Sequence, residues 1–269
     1  MTRDDRRAWD AAAVLAASNA WSWVPDGAPH VANDEYLVVA YPQHFLTPTS
    51  ARVFGSERDA AALADEICAV ARGWGRDRLW WRLSEFTQPQ GLEPELMTRG
   101  AGVVDRMDVL ALSLDEGLPD LAVPGDVSVR RVTDEQTVRD AITVGNDAFG
   151  GADPTDDQVA SALLEVERGL DDDSSGRWVA YVDGRPAGTG GYTLAGDVCR
   201  LWGGGTHSSL RGRGAYRAVL DARLRAAKAA GATLGLTHGV VGTSSPILRR
   251  TGFTRYGEER TLVLDLAPS

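Results

Sequence analysis

The stretch "THSSLRGRGAYRAVLDARL", Thr206 to Leu224, places Arg211, Gly212, Arg213 and Gly214 directly before an alanine-rich helical pattern that begins at Ala215 and Tyr216. Successive backbone N–H groups at a helix start converge on one point and carry the positive end of the helix dipole. They can hold a phosphate without any side-chain charge. Gly212 and Gly214 let phosphate oxygens approach the backbone closely, and Arg211 and Arg213 add charge at the rim. An ordinary helix start with solvated arginines has the same pattern. No Gly-Lys-Ser/Thr follows, so the loop is not a nucleotide P-loop, and it lacks the Gly-x-Gly-x-x-Gly spacing of dinucleotide-binding loops.

The chain around this basic loop is acidic. Its 269 residues are 43% apolar with a formal net charge of -10. That size and apolar content suffice for one large or two modest cores. The charge excludes broad nucleic-acid or anionic-membrane binding and is compatible with a cationic small molecule. Two cysteines, Cys68 and Cys199, make no disulfide framework. Four scattered histidines, His30, His44, His207 and His238, show no metal-ligand spacing, so no metal site is expected. The N-terminal "MTRDDRRAWDAAAVLAA" is not a signal peptide, and no apolar run approaches the roughly 20 residues that cross a bilayer. These features predict a cytoplasmic protein.

The elements that must position the loop follow from periodicity. Pro119, Pro124, Gly117 and Gly125 mark a linker. After it come a short strand, "VSVRRV", a helix capped by Thr133 or Asp134, and a second helix over "TDDQVASALLEVERGL". Asp183-Gly184 then suits a type I′ hairpin turn, and "VCRLWGGGTH" reads as a further strand. The helix from Ala215 stops near Gly231. A buried strand, "ATLGLTHGVV", a short helix over "SPILRR", a Gly252 turn and a last strand, "RTLVLDL", complete the order. The first half looks like a weaker copy of the second: "LMTRGAGVVDRMDVLALSL" from Leu96 matches "LRRTGFTRYGEERTLVLDL" from Leu248 at five positions, Gly100 with Gly252 among them. Two similar domains are expected, residues 1–120 and 127–269.

The segment from Val127 to Leu266 resembles the GCN5-related N-acetyltransferase (GNAT) family. The likeness rests on a strand followed by Arg/Gln-x-x-Gly-x-Gly/Ala at a helix start, matched by Arg211 and Gly214, and on the hairpin, His207 before the loop and the corner "ILRRTGF". Tyr216 departs from the final small residue of the signature. The resemblance implies an α/β fold of two tandem GNAT-like domains, each a mixed, mostly antiparallel central sheet flanked by helices. It also implies acetyl-CoA as co-substrate, with Arg211, Gly212, Arg213, Gly214, Ala215 and Tyr216 around the pyrophosphate and Gly205 and Thr206 facing the pantetheine. The first domain offers one glycine and an acidic helix start in "ARVFGSERDAAAL" and is expected to bind no CoA.

Acyl transfer to an amine needs a neutral nucleophile against the thioester and a proton source near the departing thiolate. The family's carboxylate on the strand before the loop is replaced here by the run Leu201 to Gly205, and its corner tyrosine by Leu248. His238 at the end of "LGLTHG" is a candidate proton relay or a hydrogen-bonded core histidine. Ser244 can cap the corner helix or donate to the thiolate, and Tyr192 can donate from the hairpin or pack. On the acceptor side, Asp147, Asp153, Asp156 and Asp157 could attract an ammonium or serve as caps and a solvated face. Trp202 lines the acetyl pocket or packs in the core.

The expected activity is direct transfer of acetyl from acetyl-CoA to a primary amine of a small cationic molecule, such as an aminoglycoside or a cationic peptide antibiotic, with antibiotic resistance as a role. The alternatives are a non-catalytic acyl-CoA sensor or scaffold and an N-acyltransferase acting on protein or carrying longer chains. Nucleic acid and membrane are not expected partners, and a homodimer is left open.

Overall fold

The computed structural model describes residues 9–43, 45, 47–170 and 173–266. The N-terminal residues 1–8 and His44, read above for targeting and metal spacing, lie outside the described residues. The first half runs α1 (Ala11–Asn19), β1 (His30–Ala32), β2 (Tyr36–Ala40), β3 (Thr49–Val53), α2 (Ala60–Gly73), β4 (Arg78–Ser84), α3 (Leu92–Thr98) and β5 (Gly102–Ser113). The second runs β6 (Val127–Arg131), α4 (Glu135–Phe149), α5 (Asp156–Leu170), β7 (Ser175–Val182), β8 (Arg185–Ala195), β9 (Val198–Thr206), α6 (Ala215–Ala229), β10 (Leu234–Val240), α7 (Ser244–Arg250) and β11 (Thr254–Asp265). The fold is α/β, with mixed and mostly antiparallel strand pairing. No helix among the described residues is long and apolar enough to cross a membrane.

Two compact units emerge, each drawn from separated stretches. The C-terminal unit holds Leu110–His238 and Ile247–Thr254. Its strands β6, β7, β8 and β9 pair antiparallel in sequence order, and β10 joins β9 in parallel. Asp183 and Gly184 both take positive φ, 51° and 73°, which is the type I′ turn expected between β7 and β8. Asp134 caps α4 by accepting from the Thr137 amide. Helices α4 and α5 bury Val138, Ala141 and Val159 against Val179 and Tyr181 on one face of β7. Helix α6 buries Val219, Leu220 and Leu224 against Leu201, Tyr192 and Cys199 in a separate core.

The N-terminal unit holds Asp10–Val109, Gly239–Pro246 and 255–266. Here β1, β2 and β3 pair antiparallel, β4 runs parallel to β3, and β11 closes the set antiparallel to β4 from Glu259 opposite Ser84 to Asp265 opposite Arg78. Helix α2, capped by Asp59, buries Leu63, Ile67 and Cys68 against Trp81, Leu262 and Leu264. Trp81 is fully buried there. Gly100 and Gly252, aligned in the sequence match, follow the short helices α3 and α7 with φ of 94° and 99°, values that glycine takes without strain. Each half contributes the end of its last strand to the unit built mainly by the other. Thus β11 lies in the N-terminal unit, while Leu110 and Leu114 stand in the core of the C-terminal one, where the Leu114 amide donates to the Thr233 carbonyl at 2.8 Å.

The incoming β11 carries a buried carboxylate. Glu259, 4% exposed, accepts from Arg52 on β3 at 2.7 Å and from Arg82 on β4 at 2.5 Å. Arg52 also donates to the Ser18 carbonyl at 3.1 Å, and burial pushes its pKa down to about 10 against the opposing pull of Glu259. Removing one partner of such a buried pair strands the other charge at a cost of about 3–5 kcal/mol. Glu259→Leu is therefore expected to lower stability by about that amount in urea unfolding, and Arg52→Met in the same chain to recover most of the loss. Equal midpoints for Glu259→Leu and the wild type would show that the triad holds nothing.

Candidate functional site

The site is organised by β9. Its parallel ladder with β10 ends at Leu201 opposite Thr237, whereas its pairing with β8 continues to Thr206 opposite Gly188. Between Trp202 and Gly205 the register with β8 shifts: Gly191 faces Trp202 and Thr189 faces Gly205, so Gly190 opposes both Gly203 and Gly204. This is a β-bulge, and Gly203 sits in it at φ 61°. A glycine-rich strand paired on one side and released on the other leaves backbone donors and acceptors facing the gap left by β10. Gly205 has a further reason to lack a side chain, because a Cβ there would stand 2.8 Å from Ala148 of α4.

After Thr206 the chain makes one 3₁₀ turn, Ser208–Leu210, and enters α6 through the glycine loop. His207 caps that turn: its Nδ1 accepts from the Ser209 amide at 3.3 Å, which assigns the proton to Nε2, 3.7 Å from Asp147. Arg211, Gly212 and Arg213 are exposed. Gly212 and Gly214 take φ of 76° and 85°. The cap residue of α6 is Gly214, so no side chain satisfies the amides of Ala215, Tyr216 and Arg217. A Cβ at Gly214 would also fall 2.5 Å from the Pro124 ring. The helix start is thus a set of uncapped N–H donors beside Pro124, with Arg211 exposed at its rim and Arg213 paired with Asp126 at 3.4 Å and Asp183 at 3.3 Å.

Tyr216 points inward, beneath the bulge. A Cβ on Gly204 would lie 3.2 Å from its ring, so the bulky residue on α6 and the missing side chain on β9 fit each other. Below it lies Arg223, only 2% exposed, donating to the carbonyls of Gly191 at 3.1 Å and Trp202 at 3.3 Å and bonding the Tyr216 phenol. Burial lowers the pKa of this arginine and raises that of the tyrosine. The guanidinium clamps β8 to β9 at the Gly191–Trp202 pair, at one end of the bulge. Sequence reading passed over Arg223, although a charged residue on the apolar face of α6, four places after Val219, was a visible signal.

The proton-transfer candidates separate in space. His238 stands on β10 one residue past the last pair with β9, half-buried. Tyr192 is 1% exposed, stacks on Trp178 at 5.4 Å and donates its hydroxyl to the Asp173 carbonyl, so it packs rather than reaching the gap. Ser244 Oγ accepts from the Val240 amide at 2.8 Å and so acts in the turn before α7. Ser245 donates to the buried Asp108 carboxylate, which also holds Arg255. Leu248 is buried in the core of the C-terminal unit.

On the α4 side, Asp147 accepts from the amide and hydroxyl of Ser208, which holds its carboxyl below the ordinary carboxylate range. Asp156 pairs with Arg139 at 2.7 Å, while Asp153 and Asp157 are exposed. Trp202 is 37% exposed and donates its indole N–H to Thr193. Among the described residues no group of His, Cys, Asp and Glu could hold a metal ion.

An open strand edge running into an uncapped, glycine-entered helix is the arrangement that the resemblance implies. Residues 146–241 match the model of the Acetyltransferase (GNAT) family. This stretch is similar to a GNAT domain. Over the longer chain the fold is similar to a GCN5-related N-acetyltransferase from Kribbella flavida, with a TM-score of 0.66, 20% identity and coverage of 94% of each chain. It is similar to one from Sphaerobacter thermophilus at a TM-score of 0.63 and 17% identity, covering 88% of this chain and 82% of that one. It also matches a tandem GNAT protein from the clavulanic acid biosynthesis pathway at 0.63 and 17%, covering 95% and 88%. Comparison with curated proteins gives no match.

Within this stretch the pairing of Tyr216 with Gly204 is open to a direct check. Gly204→Val drives a side chain into the tyrosine ring and is expected to destabilise by about 1–3 kcal/mol. Tyr216→Ala in the same chain should relieve it. The same loss in both backgrounds, measured by thermal or urea unfolding, would separate the two positions.

Proposed function

We propose that the chain is an acetyl-CoA-dependent N-acetyltransferase that passes acetyl directly to a primary amine of a small molecule. The observation that carries this reading is the uncapped start of α6 beside the released edge of β9. The amides from Gly214 to Tyr216 hold the pyrophosphate, Arg211 and Arg213 add charge at its rim, and Gly205 and Thr206 face the pantetheine. Acetyl-CoA supplies the activated thioester. The amine nitrogen bonds to the acetyl carbon, the C–S bond breaks, and the nitrogen releases a proton. His238, beside the gap, is the group we assign to take that proton. Residues 127–269 are the copy that binds acetyl-CoA, and residues 1–120 are a degenerate copy without the loop.

An aminoglycoside or cationic peptide antibiotic as acceptor, with antibiotic resistance as the role, rests on the exposed Asp153 and Asp157, since Asp147 and Asp156 are engaged within the protein. A second reading, an acyl-CoA sensor without turnover, is favoured by the absence of a carboxylate from Leu201 to Gly205 and by Leu248 at the corner.

Isothermal titration with acetyl-CoA, followed by thiol release across a panel of amines, tests both. Binding with turnover supports the transferase, binding without any turnover the sensor, and no binding defeats both. Gly214→Asp adds a negative charge to the anion site and collides with Pro124, so binding is expected to vanish while the fold, followed by circular dichroism, persists. For His238→Ala, a loss of about 10²–10⁴ in turnover is expected. Wild-type rates from pH 6 to 9 would remove this residue from the mechanism.

A further inference from the structure

The unit that holds the candidate site encloses a positive charge with no negative partner. Arg223 on α6 is 2% exposed. Its Nη1 donates to the Gly191 carbonyl at 3.1 Å and the Trp202 carbonyl at 3.3 Å, and the guanidinium also bonds the Tyr216 phenol. Its Nε is buried and makes no hydrogen bond. Among the described residues no carboxylate pairs with it, and the titratable groups that act on it are Tyr216 and Cys199. Both are neutral near pH 7, because burial raises the phenol and pushes the thiol up to about 12. Arg52, a buried arginine of the other unit, is by contrast matched by Glu259. A lone buried charge works against folding, and an apolar side chain of similar volume commonly serves stability as well or better.

Arg223 lies directly against the bulge. A Cβ at Gly190 would come within 2.8 Å of its Cζ, and one at Gly204 within 3.4 Å of its Nη2. The Trp202–Gly203 peptide, whose carbonyl it holds, is the first in β9 beyond the last pair with β10. Thr237 closes that ladder by donating its hydroxyl to the Leu201 carbonyl at 3.0 Å. A trans peptide points its C=O and N–H in opposite directions, so a carbonyl drawn toward α6 turns the Gly203 N–H away from that helix. The two strands meet here through Gly190 and Gly191 on one side and Gly203, Gly204 and Gly205 on the other, and glycine-rich pairing specifies its register weakly. A guanidinium bonded to one carbonyl of each strand fixes where the extra residue sits.

Resting on the transferase reading above, we infer that Arg223 is a positioning residue for acyl transfer, which sets the rate of the chemical step by holding the bulge in register beneath the thioester and adds little to the binding of acetyl-CoA. In that reaction the pantetheine follows β9 back from Thr206 through Gly205, which brings the thioester to the Trp202–Gly203 peptide. The pyrophosphate stays at the start of α6, roughly two helical turns from Arg223. Negative charge develops on the acyl oxygen as the amine nitrogen bonds to the acetyl carbon, and passes to sulfur as the C–S bond breaks. A lone cation beneath the bulge favours that charge in a site closed to water. A peptide whose carbonyl is bonded to a cation is also a stronger donor through its N–H. Arg223 thus acts through the backbone, without touching the substrate.

The test compares the full wild-type chain with Arg223→Met and Arg223→Lys, using acetyl-CoA and the fastest amine of the panel above. Unfolding midpoint, acetyl-CoA Kd, kcat and KM are measured for each. For Arg223→Met the midpoint is expected to equal or exceed the wild-type value, Kd and KM for acetyl-CoA to stay within about threefold, and kcat to fall by about 10–100-fold. Arg223→Lys keeps the charge and is expected to recover part of that loss. A purely structural residue gives another pattern, in which midpoint and affinity fall together. Wild-type kcat in the Met variant, a lowered midpoint or an unfolded Met chain, a kcat loss matched by lost acetyl-CoA affinity, or a Lys variant as slow as the Met one overturns the inference. No turnover by the wild type with any amine overturns the transferase reading itself and the inference with it, so the wild-type assay tells the two failures apart.

Discussion

The early end of the β9–β10 ladder is the constraint on which the candidate site depends. After Leu201 and Thr237 the two strands no longer bond, and the backbone of β9 must find other partners or face a ligand. Every unusual residue nearby answers that release. The glycines of the bulge lengthen β9 by one residue against β8, Arg223 ties the carbonyls of the Gly191–Trp202 pair at one end of the shift, and Tyr216 fills the space that Gly204 vacates. A buried arginine at this point would be a poor choice for stability alone. Its hydrogen bonds to two carbonyls explain it as a brace for an irregular strand.

The backbone of the glycine loop was legible in the sequence because its signals are local. Glycines at positive φ, an uncapped helix start and a type I′ turn depend on a few neighbouring residues, and Gly212, Gly214 and the pair Asp183-Gly184 all took the backbone forms that their types require. The element order of the second half was legible for the same reason. The side-chain direction of Tyr216 was not, since it depends on Gly204 and Arg223, both distant in sequence. Nor was the engagement of Asp147 by Ser208, which turns one of four apparent acceptor-binding carboxylates into a cap.

The composition of the compact units lay further out of reach. Gly100 and Gly252 gave away the repeat, but nothing in the periodicity of "RTLVLDL" tells which sheet receives it. The decisive partner is Glu259, an apparently ordinary surface glutamate in sequence that proves to be enclosed by Arg52 and Arg82, two hundred residues upstream for the first of them.

That exchange has a consequence for biosynthesis. The N-terminal unit lacks its closing strand when Val109 leaves the ribosome, and it must wait for the chain to be extended beyond Arg255 before Glu259 can meet Arg52. At about 5–20 residues per second this interval is roughly 7–30 s. Throughout it, the edge of β4 and the guanidinium of Arg52 remain without their β11 partners. The nascent first half is accordingly the form in which chaperones would meet this chain, and its maturation is timed by the synthesis of the second.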